Sequence, residues 1–104
     1  MTGDVGLDYE VHGTTAEVTV NGDLDMATTF KLEPAIERVV AQNSVDELVL
    51  DLRGVAFMDS SGLGLLLSTQ QRLDDRGITT RIRRPSPAVK RVIDASGMHG
   101  LLIG

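Results

Sequence analysis

The sequence predicts an α/β fold, a hairpin followed by β-α-β units, and three observations carry that prediction. Apolar residues come in short bursts whose spacing switches between two-residue alternation and helical recurrence. Gly, Asp and Ser separate the bursts, with no internal repeat and no low-complexity tract. One tyrosine, two phenylalanines and no tryptophan leave the core to Leu, Val and Ile. A length of 104 residues fits one domain spanning residues 1–104. Strands alternating with helices imply right-handed crossovers and a mixed central sheet of about four to five strands with helices packed against it.

Residues 5–11 alternate apolar and polar, residues 16–20 do the same, and His12-Gly13-Thr14-Thr15 between them is a turn, so the two segments form a hairpin. From about residue 27 to 42, Leu32, Ala35, Ile36, Val39 and Val40 recur at helical spacing, with Thr28 and Thr29 available as caps. Pro34 costs little in a first turn but about 3 kcal/mol or more in an interior, so this helix is expected to begin near Leu32 or to kink. Residues 46–52 hold Leu48-Val49-Leu50 with Leu52, an apolar run suited to a central strand covered on both faces. From Ser60 onward, Leu63, Leu66, Leu67 and Leu73 share one helical face. Leu65 falls roughly opposite when about 100° is allotted per residue, and is expected to point outward. Arg76-Gly77 ends that helix and residues 78–83 alternate as a strand. Ser86-Pro87 opens a last helix with a cap residue and a first-position proline; Val89, Val92 and Ile93 form its buried stripe and Gly97 closes it. Leu101-Leu102-Ile103 adds an edge strand.

Composition removes several classes of function. Ten basic against fifteen acidic residues give a net charge of −5, which opposes non-specific attraction to nucleic acid or anionic lipid, and too few aromatics are present for a base-stacking platform. The absence of cysteine excludes a disulfide framework, a thiol nucleophile and a cysteine-rich zinc site, and His12 and His99 lie far apart in sequence, so neither a metal nor an enzyme is expected. The N-terminus lacks a charged region followed by an apolar one, and no apolar run approaches membrane-spanning length, so the expected location is cytoplasmic.

Chemistry concentrates in residues 57–64, Phe-Met-Asp-Ser-Ser-Gly-Leu-Gly, which place Ser60 and Ser61 where a helix begins. A helix start has backbone N–H groups without intrahelical partners and a partial positive charge, so a phosphate on Ser60 is tolerated there. Taken alone, the pair also reads as an N-cap, with Gly62 and Gly64 permitting close packing on the sheet.

Asp59-Ser60-Ser61-Gly62-Leu63-Gly64, following Asp51-Leu52-Arg53-Gly54-Val55, resembles the STAS domain of anti-sigma factor antagonists. Asn21-Gly22-Asp23-Leu24-Asp25 is similar to the family's Gly-Glu-Leu-Asp turn, and Ser86-Pro87-Ala88-Val89-Lys90-Arg91 to its later helix, so the resemblance runs through almost the whole chain. It implies a STAS fold and a regulatory switch. In the unphosphorylated state the protein binds an anti-sigma serine kinase and frees the sigma factor; phosphorylation by that kinase, placed by the match on Ser60, switches binding off; a serine phosphatase resets it. Asp25, Asp59 and Ser61 neighbour the phosphosite, and Asp23, Gly62, Leu63, Gly64 and Leu65 are the candidate partner-binding residues. No cofactor is expected in this chain, since no Gly-x-x-x-x-Gly-Lys loop is present and the ATP belongs to the kinase. Family members continue for another helix past the segment matching residues 101–103, so contacts made through that helix are not carried over.

Asp25 also reads as a local cap or turn residue. Asp59 reads as a cap, and Arg81, Arg83, Arg84, Lys90 and Arg91 as a solvated basic edge. A receiver domain is a competing class, with Asp51 ending a central strand as phosphoacceptor and Asp23 and Asp25 as an acidic pair, but Arg83-Arg84-Pro85 stands where its late-strand lysine belongs. A STAS docking module of a transport or signalling complex without regulated phosphorylation is another. A serine hydrolase lacks the Gly-x-Ser-x-Gly elbow.

Overall fold

The computed structural model describes residues 5–96 and the backbone of residues 102 and 103. The two alternating segments form β1 (Val5–His12) and β2 (Thr15–Leu24), paired antiparallel from Val5↔Gly22 to His12↔Thr15. Within the connecting Gly13-Thr14, positive φ falls on Gly13 alone, at +63°, the pattern of a two-residue turn whose twist suits a hairpin. The chain continues through α1 (Met26–Gln42), β3 (Glu47–Met58), α2 (Ser60–Asp74), β4 (Thr79–Arg83), α3 (Pro87–Ser96) and β5 (Leu102–Ile103). The sheet order is β1-β2-β3-β4-β5, with the hairpin antiparallel and the remaining pairs parallel, the expected mixed sheet of the α/β class. Gly97, expected to close α3, and Leu101, expected in the last strand, lie outside the described residues.

Each crossover advances one strand in the same direction, so with a common hand the helices share one face of the sheet. Burial agrees: Ala16, Val18 and Val20 of β2, Leu48, Leu50 and Leu52 of β3 and Ile82 of β4 alternate toward a core completed by Leu32 and Ile36 of α1, Leu66 and Leu73 of α2, and Val89 and Ile93 of α3. Val92 packs at the margin of that core.

Four expectations are corrected. The segment 21–24, taken as part of a turn, extends β2 with register shifts against β3, and Gly22 supplies a φ of +112° there. β3 runs past Leu52 to Met58. The first helix begins at Met26, well before Pro34, because Asp25 and Thr28 cap it and Thr28, Leu32, Ile36, Val39 and Val40 bury one stripe. Pro34 cannot donate to the Phe30 carbonyl one turn earlier, but both residues are exposed, so the lost bond falls on the solvent side of the helix. Finally, no helix covers the second face of β3. Val49 and Asp51 are buried there beneath long side chains of the sheet itself, where Arg83 pairs with Glu17 and Arg81 with Glu47 at 3.2 Å. Arg81 and Arg83 are therefore sheet-face partners and not a free basic edge. Both pairs are partly exposed, so Arg83→Ala is expected to cost only about 0–1 kcal/mol in urea unfolding, and less at high salt.

Asp51 sits midway along β3, opposite Thr19 on one side and Arg83 on the other, and its Oδ1 accepts the Arg53 N–H at 3.0 Å. A receiver's phosphoacceptor stands at a strand end, so the receiver reading fails on geometry.

Candidate functional site

β2 and β3 are parallel neighbours, so their C-terminal ends, and the helices that follow, start side by side. Each helix is capped by the aspartate that ends the strand before it. Asp25 Oδ1 accepts the Thr28 N–H at 3.0 Å, and the Thr28 hydroxyl accepts the Asp25 N–H at 3.0 Å while donating to the Asp23 carbonyl at 2.6 Å. Thr28 is fully buried, so this capping box fixes Asp23 and Asp25 against the first turn of α1. In α2, Asp59 Oδ1 accepts from the N–H groups of Ser61 at 2.8 Å and Gly62 at 3.3 Å. The Asp59 N–H donates to the Leu24 carbonyl at 3.2 Å, joining the start of α2 to the residue between Asp23 and Asp25.

Gly62 makes that junction possible. A Cβ placed on it falls 2.6 Å from Met58 Cγ and 2.8 Å from both the Cβ and the carbonyl oxygen of Leu24, so the first turn of α2 lies directly on β2. The junction presents Ser60 at the first position of α2, exposed, with Ser61 and Asp59 half-buried beside it. Asp59 directly precedes it, and Asp25 caps the neighbouring helix α1.

This geometry changes the expected electrostatics. Two of the open N–H groups credited with tolerating a phosphate on Ser60 are taken, since Asp59 Oδ1 holds those of Ser61 and Gly62, and the Leu63 N–H makes the first bond of the helix, to the Asp59 carbonyl at 3.2 Å. An anion on Ser60 therefore meets a helix start already occupied in part by the like charge of Asp59. Removing the cap by Asp59→Ala is expected to cost about 0.5–2 kcal/mol of stability, read as a lower urea midpoint.

The expected partner-binding residues divide. Asp23 is half-buried and Gly64 is exposed with open space above it. Gly62 is packed under Leu24, Leu63 is only 9% exposed, and Leu65, expected to point outward, is 5% exposed. The helical wheel counted only the face turned toward the sheet, whereas α1 covers the adjacent face of α2 and Leu65 lies in the groove between them, a cavity of about 280 Å³. The apolar surface beside the serine comes from residues the spacing did not single out. Phe30 is 85% exposed and Met26 76%, both on α1 and lining that groove, and Phe57 is 50% exposed at the end of β3. The available signal was that Met26 and Phe30 fall off the apolar stripe of their own helix. Among the described residues, no group of His, Asp and Glu is arranged to hold a metal ion, and no helix is long and apolar enough to cross a membrane.

The model of the STAS domain family matches residues 7–102. A relative named anti-sigma F factor antagonist, from Lysinibacillus sphaericus, is 31% identical over 84 residues, covering 81% of this chain and 72% of that protein. The crystal structure of an anti-sigma factor antagonist from Mycobacterium paratuberculosis superposes with a TM-score of 0.80 at 33% identity, covering 93% of this chain and 83% of that one. The unphosphorylated form of the anti-sigma factor antagonist SpoIIAA superposes with a TM-score of 0.76 at 26% identity, over 95% of this chain and 88% of that one. The phosphorylated form of the Bacillus protein superposes with a TM-score of 0.71.

Proposed function

This chain belongs to the STAS-domain family of anti-sigma factor antagonists, and from that premise we propose that Ser60 is the covalent switch by which it controls an anti-sigma serine kinase in the cytoplasm. The carrying observation is an exposed serine at the first position of α2, directly after the capping Asp59 and at the junction with the α1 start that Asp25 caps. That a SpoIIAA neighbour exists in unphosphorylated and phosphorylated forms supports the reading.

With Ser60 unmodified, the junction offers the partner a small neutral hydroxyl, the bare backbone at Gly64 and an apolar flank from Met26 and Phe30. The kinase docks there and its sigma factor is freed. In the bound complex the Ser60 oxygen attacks the γ-phosphorus of the kinase's ATP, ADP leaves, and the hydroxyl proton passes to a base of the kinase. Asp25 and Asp59 position this end of the sheet and take no proton in the step. The product carries about 1.5 to 2 negative charges at neutral pH. Burying that charge against a partner that packed on a hydroxyl, beside the Asp59 carboxylate, costs about 2 to 5 kcal/mol, enough to release the kinase. The folded state changes little, because helix-terminus effects are about 0.3–2 kcal/mol and the surface is open to screening by salt. A phosphatase restores the hydroxyl. The chain thus acts by binding and not by catalysis.

The test is sigma displacement. A preformed complex of sigma factor and anti-sigma kinase is mixed with this protein and resolved by gel filtration. Unmodified protein is expected to elute with the kinase and leave sigma free, and Ser60-phosphorylated protein to leave the original complex intact. Equal displacement by both forms would reduce the chain to a docking module without a phosphorylation switch.

A further inference from the structure

We propose that the free edge of β3 beside α3 is a second docking site, where an extended acidic segment of a partner protein adds to the sheet as a strand. β4 pairs with β3 only as far as Arg83↔Asp51. The chain then turns away at Arg84, whose φ is +52°, and the last bond to that edge is from the Ser86 N–H to the Leu52 carbonyl at 3.3 Å. β3 continues to Met58, still paired with β2 through Gly54, Val55, Phe57 and Met58. On its other side no strand pairs with residues 53–57 among the described residues, so the backbone groups pointing that way are open to an added strand.

The flanks define what fits. α3 stands off from this edge and leaves a cleft of about 500 Å³, bordered by residues 53–56 of β3 and by Ser86, Pro87, Ala88 and Arg91. Gly54 and Ala56 are small and exposed, which lets another backbone approach. The helix start is not an anion receptor in itself, since Pro87 has no N–H and the Ser86 hydroxyl accepts that of Val89 at 3.2 Å. The charge comes from side chains instead. Arg53 is 66% exposed and lies 4.0 Å from Asp51, and Arg91 is exposed with no ion-pair partner among the described residues. Arg53 has only that long contact, and no acidic residue is among those bordering the cleft, so its two arginines set a positive local charge in a chain of net charge −5. An open edge selects an extended backbone and the guanidinium pair selects carboxylates on it. The site does not involve the Ser60 hydroxyl, so it stands apart from the switch proposed above.

The probe is a fluorescein-labelled, capped peptide alternating Val with Asp or Glu over seven residues, followed by anisotropy and by amide hydrogen exchange of the protein. Saturable binding is expected, with exchange of the free-edge amides within residues 53–57 slowed at least about tenfold. The double variant Arg53→Gln, Arg91→Glu is expected to bind at least about tenfold more weakly, which is 1.4 kcal/mol, while its unfolding midpoint stays close to the parent because both side chains are exposed and the 4.0 Å contact of Arg53 with Asp51 is long. Ser60→Glu is expected to bind the peptide as the parent does. Equal binding of a Val/Lys peptide, equal binding of a peptide N-methylated at alternate amides, unchanged affinity of the double variant, or no saturation by about 1 mM would each overturn the proposal and leave the arginines as guards of an exposed edge.

Discussion

Ser60→Glu is expected to weaken binding to the anti-sigma kinase by about 30-fold to several thousandfold, while Ser60→Ala binds within about threefold of the parent and cannot be switched off. The range follows from the cost of about 2 to 5 kcal/mol for a mismatched charge at an interface, converted at 1.4 kcal/mol per tenfold. The structure argues for the upper part of that range. The first turn of α2 offers a charge on Ser60 less than an uncapped helix start would, because Asp59 already occupies the N–H groups of Ser61 and Gly62. Farther along α2, Arg72 is tied to Glu33 and Glu37 of α1, and Arg76 just past its end to Glu37. Calorimetric titration of each variant into the kinase gives the ratio directly. A glutamate carries less charge than a phosphate, so the phosphorylated protein should bind more weakly still. Circular dichroism and thermal unfolding of Ser60→Glu close to the parent would place the whole loss at the interface.

Gly62→Val is expected to have the largest effect on folding among single changes at the site, about 3 kcal/mol, or roughly 15 °C in melting temperature for a chain of this size. A single added carbon already falls 2.8 Å from the Leu24 carbonyl, which is backbone and cannot swing aside, and 2.6 Å from Met58 Cγ. Gly62→Ala adds only that one carbon and should cost about 1–2 kcal/mol. A branched side chain adds two more atoms against Leu24, which is fully buried. Relief requires the start of α2 to lift from β2, stretching the 3.2 Å bond between the Asp59 N–H and the Leu24 carbonyl and moving Ser60 with it. Kinase binding should therefore fall in Gly62→Ala by more than its stability loss alone explains, whereas Gly64→Ala, with nothing within reach of its new methyl, should leave stability within about 0.5 kcal/mol.

Much of this was legible in the sequence. The alternation of residues 5–11 and 16–20 gave the hairpin, the run at Leu48 to Leu52 gave the central strand, and Ser86-Pro87 marked the start of α3 where the structure begins it. Asp59 capping and Ser60 at the first helical position followed from residue type and order. What escaped did so because tertiary neighbours decided it. A wheel drawn on α2 alone has one buried face, and only the placement of α1 turns Leu65 inward and leaves Phe30 and Met26 in solvent. Pro34 is a strong local stop signal that a capping box and a five-residue buried stripe outweigh. The segment 21–24 has the Gly and Asp of a turn, yet it stays in the sheet because β3 extends alongside to pair with it. Asp59 was legible as a cap, but which N–H groups its carboxylate holds depends on the side-chain geometry at the start of α2.

The most direct measurement is intact mass and phosphosite mapping after incubation with candidate anti-sigma kinases and ATP, run in parallel on wild type, Ser60→Ala and Asp51→Asn. A single acid-stable phosphate on Ser60, abolished by Ser60→Ala and untouched by Asp51→Asn, is the predicted result. Phosphate on another residue, or an unmodified chain recovered in stable complex with its kinase and ATP, would contradict the switch at its centre.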